Sequence, residues 1–238
     1  MRHTLKLVGV GLLMTVSMAA RPATASAQVV QSLNLSAGLF MPRGEESRVA
    51  NDVWLADVPV FRFDIKDFRG GEVSGEWNLG FGDRVELGFG GAFYQRTVDT
   101  SYRDYTNPNN SEIRSKFKLR TAPVTGVIRL MPFGNARSFQ PYIGGGIGVV
   151  NWHYSEVGDF IDFNDHNNVY HARYVASGNK AAPVVLAGFR APIDGDVWAI
   201  TFEGRYMRAE GDLNTNDFLG SKIDLGGTSL RLGVLLRF

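Results

Sequence analysis

The sequence has no cysteine. That excludes a disulfide framework, a thiolate metal site and a cysteine nucleophile. Past its first twenty residues it also lacks any apolar run near the roughly 18–20 residues that a spanning helix needs. It has almost no surplus charge, with 25 Lys+Arg against 24 Asp+Glu. Nothing in that balance suggests a nucleic-acid partner. What is present, 44% hydrophobic residues with 28 Gly and 9 Pro in 238 positions, is a globular composition rather than a disordered or collagen-like one.

The first 27 residues read as a signal peptide. Arg2, His3 and Lys6 form a positive start, and Leu7 to Ala20 is an apolar stretch. Ala25-Ser26-Ala27 is an A-x-A cleavage pattern, with Ala25 and Ala27 as the recognised small residues and Gln28 as the expected new N-terminus. Cleavage removes three of the 25 Lys+Arg and leaves 22 against 24 Asp+Glu. Residues 28–238 are expected to form one all-β domain.

Eight runs alternate apolar with polar or small residues, which is strand periodicity. They are Ser32–Met41, Val73–Phe81, a run starting at Arg84, Ile113–Met131, Gln140–Ser155, Ala181–Ile193, Val197–Ala209 and Leu230–Phe238. In the fourth the parity switches near Pro123, which predicts a bulge. The connections alternate short and long. Gly82-Asp83, 133–139 and Asp194-Gly195-Asp196 are tight, whereas 42–72, 98–112, 156–180 and 210–224 are long and polar. In an even-stranded meander every long loop then lies at one end, as in an outer-membrane barrel.

Alternation alone does not say which face is outside. A soluble barrel turns its apolar face inward and a membrane barrel turns it outward. The non-apolar face here mixes Gly and Ser with Glu76, Arg84, Glu86, Arg190, Glu203, Arg205, Arg231 and Arg237. Lys is absent from most of these runs, which suits a cramped polar lumen better than a solvated exterior. Tyr142 and Trp152 share parity and suggest two aromatic girdles about 26 Å apart along the membrane normal.

The final strand, with Leu232, Val234, Leu236 and Phe238 on one face, resembles the assembly signal of bacterial outer-membrane barrels. Pro141-Tyr142-Ile143-Gly144-Gly145-Gly146-Ile147-Gly148 is similar to a strand of the small OmpA/OmpX- and OmpW-like barrels. The resemblance implies an eight-stranded antiparallel up-and-down transmembrane β-barrel in the outer membrane. It also implies insertion by the outer-membrane assembly machinery, contact with membrane lipid and lipopolysaccharide, and a monomer.

Chemistry is sparse. The lumen charges are expected to pair and fill the barrel, with Glu203 shared between arginines. His153 and Ser155 point to one side of a strand, and a His-x-Ser pair resembles some lipid A deacylases, with Glu156 and Asp159 nearby. A polar strand end without chemistry is the simpler reading. His153, His166 and His171 gather around one long loop with Asp159, Asp162, Asn164 and Asp165. Their spacing matches no calcium or zinc motif, so no cofactor or metal is assigned. Val58 to Phe68 predicts either a hairpin rising above the membrane or a flap over the mouth. The favoured function is a non-enzymatic envelope protein with surface loops for structure or interaction. The alternatives are a narrow channel for small, hydrophobic molecules and a lipid A-modifying enzyme.

Overall fold

The computed structural model describes residues 29–134, 138–163, 165, 168–194 and 197–238. The expected signal peptide with its Ala25 and Ala27 pattern, Gln28, Asn164 and His166 lie outside the described residues. Eight antiparallel strands close into a barrel. They are β1 (Val29–Pro42), β2 (Gly70–Phe81), β3 (Val85–Thr106), β4 (Glu112–Leu130), β5 (Gln140–Asp162), β6 (Asn168–Asp194), β7 (Trp198–Met207) and, after an excursion, the closing strand. The excursion holds a small hairpin of β8 (Glu210–Asp212) and β9 (Lys222–Asp224). The closing strand β10 (Gly227–Arg237) pairs with both β7 and β1, placing Leu35 opposite Val234 and Ser36 opposite Gly233. Closure satisfies every edge, as a membrane requires.

The barrel has two halves of opposite polarity, and β4 shows both. Near the short turns Val124, Ile128 and Leu130 point out and are exposed, while Thr125 and Arg129 are buried inside. Toward the long loops Ile113, Phe117 and Leu119 are buried, while Arg114, Lys116 and Arg120 face out. The expected bulge at Pro123 is absent. Register runs unbroken from Val124 opposite Val149 through Pro123 opposite Val150 to Thr121 opposite Trp152. The strand keeps its parity and its surroundings change. Below Pro123 the outside is lipid and the inside polar; above it the outside is water and the inside an apolar core.

The same change explains strands longer than expected. β3 continues to Thr106, β5 to Asp162, and β6 begins at Asn168, so most of 98–112 and 156–180 is sheet rather than loop. Their solvent face carries His171, Arg173 and Ser177, while Ala172, Tyr174 and Ala176 turn inward.

Residues 43–69 do not form a hairpin of their own. They fold down into the barrel mouth as a plug, the flap alternative. A short helix α1 (Val53–Asp57) starts where the Asp52 side chain accepts a hydrogen bond from the Trp54 amide. Trp54 stacks on Phe68 at 3.9 Å, and Phe61 and Phe63 pack edge-on against Phe117 at 5.0 and 5.4 Å. A buried clamp fixes the plug. Arg48 donates to both oxygens of Asp52 at 2.8 and 2.9 Å and lies over the Trp54 ring, while Asp52 accepts from the Asp224 amide at 2.6 Å.

Candidate functional site

The first candidate site is the lumen of the lower half. It is built by the inward positions of seven strands, because alternate residues of a strand share a face. Its centre is Arg129 on β4, 1% exposed. Arg129 donates to Glu203 at 2.8 Å, to Asn78 at 2.9 Å and to Glu86 at 3.3 Å, and also pairs with Glu76. Arg205 bridges Glu203 at 2.7 Å and Glu76 at 2.9 Å, and donates to Thr125 at 3.1 Å. Arg190 forks onto Glu86, with one bond of 2.6 Å. Higher up, Arg231 and Ser229 hold Glu72 at 2.6 and 3.1 Å. Tyr142 donates to Glu203 at 3.2 Å, and both Arg129 and Arg190 lie over its ring at 5.3 Å.

Among the residues singled out from sequence, Glu76, Glu86, Glu203, Arg190 and Arg205 meet in this cluster. Arg231 is inside but serves Glu72 rather than Glu203. Arg237 sits at the periplasmic end, where it donates to Gln140 at 2.8 Å. Arg84 is a correction: it is exposed in the β2–β3 turn, because the strand begins only at Val85. Glu72 and Arg129 were missed. Glu72 precedes the run's first apolar residue, and Arg129 was hidden by the supposed parity switch, which obscured the inward face of β4.

Tyr142 and Trp152 are also corrected. Both are buried inside, 3% and 2% exposed, and form no lipid-facing girdle. The exposed aromatics at the short-turn end are Phe81, Phe133, Phe139, Trp198 and Phe238. Leu232 and Val234 face out on β10 with Leu35 and Leu39 beside them, Leu236 is half-buried in the same row, and Phe238 is exposed just past the strand's end. Around the ring, Trp77, Phe89, Ile128, Ile147, Val185 and Ile200 continue this apolar exterior. From Val85 to Phe93 the belt spans about 21 Å of membrane normal at a tilt near 40°. So large an apolar surface around a closed sheet is stable only in lipid.

No protein-family model matches the chain, and no curated protein matches it significantly. Solved structures do. The outer membrane protein OprG from Pseudomonas aeruginosa aligns with a TM-score of 0.51 at 11% identity, over 88% of this chain and 96% of that one. Neisserial surface protein A aligns at TM-score 0.44 and 12% identity, over 88% and 97%. Ail of Yersinia pestis aligns at 0.43 and 13%, over 88% and 99%. OprG supports the shared fold.

The chain has the fold of a small eight-stranded outer-membrane β-barrel.

The second candidate site of this barrel is the chamber above the plug, at the extracellular end set by the long connections. It has a volume of about 460 Å³ and lies between the plug, the tops of β3, β5 and β6, and the β8–β9 connection. Phe61, Tyr102, Phe160, Tyr174 and Phe218 line it, with Asp57 and Glu156 also in its wall. Burial, helped by Glu156 and Asp52, holds the Asp57 carboxyl well above the usual carboxylate range. Burial also pushes Glu156 up to about 7. By sequence both belong to long polar connections, since nothing local places Asp57 inside a barrel.

The His-x-Ser pair on β5 is not joined by Glu156 on its face of the strand. His153 sits outside the barrel, where partial burial and the cations Arg120, Lys118 and Arg173 push its pKa down. Glu156 is on the opposite, inward face of β5. His171 pairs with Asp159 at 2.9 Å, on the exposed hairpin. His153 is six residues along β5 from Asp159, about 20 Å, too far to share an ion with His171.

Proposed function

We propose that this barrel is a non-enzymatic outer-membrane protein, closed along its axis, whose extracellular half serves envelope structure or surface interaction. The observation that carries the reading is the filled interior. The Arg129-centred cluster occupies the lower lumen, and a space beside Arg205 and Arg231 holds only about 10 Å³. That is barely one water. Above it, the aromatic plug fills the mouth. The placement of His153 among cations, away from any described carboxylate partner, supports a non-enzymatic role.

The partners follow from the exterior. Lys116, Lys118, Arg120 and Arg173 lie on the outer face beyond the apolar belt, and cations so placed suit the phosphates of lipopolysaccharide. Insertion by the outer-membrane assembly machinery through β10, and a monomeric state, belong to the same reading. Single-channel recording in planar bilayers tests it. A closed barrel gives no steady conductance; a large, stable, porin-like step would put the channel reading first.

A further inference from the structure

We propose that the extracellular chamber is a binding site for a small organic cation, a protonated amine on an apolar body. Two observations converge on it. Asp57 is fully buried, and among the described residues neither of its carboxylate oxygens has a hydrogen-bond partner; Glu156 is 4% exposed and its Oε1 has none among them either. Both face the same chamber of about 460 Å³. Buried carboxylates left this way are costly unless protonated or met by a positive charge. The neighbouring pairs in this half are already closed, since Asp52 is taken by Arg48 and Asp224 by Arg43.

The walls select the same chemistry. No Lys or Arg is among the described residues lining the chamber, while Phe160, Tyr102, Tyr174 and Phe218 offer aromatic faces. Ring faces attract cations, and the attraction grows when the cation is desolvated. Asp104 and Asp217 line it too and would draw a cation inward. The volume lies within the range of small-molecule pockets. The half-exposed Tyr105, Phe163 and Leu219 mark the way in from the extracellular side. The plug is held from below by the Arg48–Asp52 clamp, so the Asp57 end is preorganised rather than loose. An anion would meet four carboxyl groups and no counter-charge, and a neutral ligand would leave both buried acids unanswered.

This inference rests on the extracellular half being the working end, but not on a closed lumen. Calorimetry on the full chain folded in detergent can compare three probes of one shape: phenethylamine, phenethyl alcohol and 3-phenylpropionate. The amine should bind about tenfold tighter than the alcohol, or about 1.4 kcal/mol, and the carboxylate more weakly than either. In Asp57→Asn/Glu156→Gln the amine's advantage should vanish while the alcohol's affinity stays within about twofold. Equal affinity for amine and alcohol in the unaltered protein, or no amine binding at millimolar concentration, overturns the proposal. That comparison needs no variant, so it decides the matter even if the double substitution fails to fold. Conductance without loss of amine selectivity would reject the closed-lumen reading and leave this one standing.

Discussion

Removing Arg129 tests the lumen most directly. Its guanidinium touches Glu76, Glu86 and Glu203 at the centre of the barrel. Three orphaned buried acids would be ruinous, but that is not what Arg129→Leu leaves. Glu76 and Glu203 keep Arg205, and Glu86 keeps Arg190. The variant is therefore one cation short, not three. Breaking a buried pair costs roughly 3–5 kcal/mol, and the retained partners place this variant near the lower end, about 3 kcal/mol. A second substitution sharpens the test. Arg129→Leu/Glu203→Gln restores balance, with Glu76 on Arg205, Glu86 on Arg190 and Glu72 on Arg231. It should recover about 1–2 kcal/mol of the loss. Urea unfolding in detergent, followed by tryptophan fluorescence, measures both. Arg84→Leu, at the exposed turn, is the control and should change stability by less than about 0.5 kcal/mol. If Arg129→Leu is as stable as the unaltered barrel, or the double variant is no better than the single, the network is not what fills and holds the lumen.

Glu203→Gln alone should cost about 1–3 kcal/mol, because Arg129 and Arg205 both retain Glu76; a larger loss by the same unfolding assay would mean the acids do not share their cations. Val234→Arg on the lipid face should cost about 2–4 kcal/mol in bilayer unfolding if it lies near the midplane, and a neutral result would move β10 out of the membrane. Gly233→Ser, mild by alternation alone, should also destabilise by about 1–3 kcal/mol, since a Cβ there would sit 2.6 Å from the Ser36 Cβ and 2.7 Å from the Leu35 carbonyl. Gly146→Ala should do the same, its Cβ falling 2.0 Å from the Gly126 carbonyl, whereas Gly71→Ala has open space and should be neutral. The plug should loosen as pH rises. Glu156, raised to about 7, binds its proton more tightly folded than unfolded, so stability is greatest below pH 4.5 and falls until about 7. The loss is about 3 kcal/mol, and Glu156→Gln should flatten the dependence seen by proteolysis of residues 43–69; stability rising over that window would refute the burial of Glu156.

The eight strands and their closed antiparallel order were legible in the sequence, because alternation with period two is a local property that lipid on one side enforces. Leu230, Leu232 and Val234 against Arg231 and Gly233 declare two faces without any partner in view. Local pattern could not say what each face meets. β4 reads as a strand with a broken parity, yet it is continuous. Only the height of each residue relative to the membrane tells whether its apolar side belongs outside, as at Ile128, or inside, as at Phe117. Pairings such as Arg129 with Glu203, 74 positions apart, and the placing of Asp57 against Glu156 depend on closure and on the plug's fold into the mouth. These are set by shape and long-range packing, since the same carboxyls in a solvated loop would be ordinary surface acids. The sequence by itself determined an eight-stranded antiparallel barrel with two-faced strands. The tertiary structure decided that its lower half is closed by arginine and glutamate, and that its upper half is a lined chamber with two buried acids.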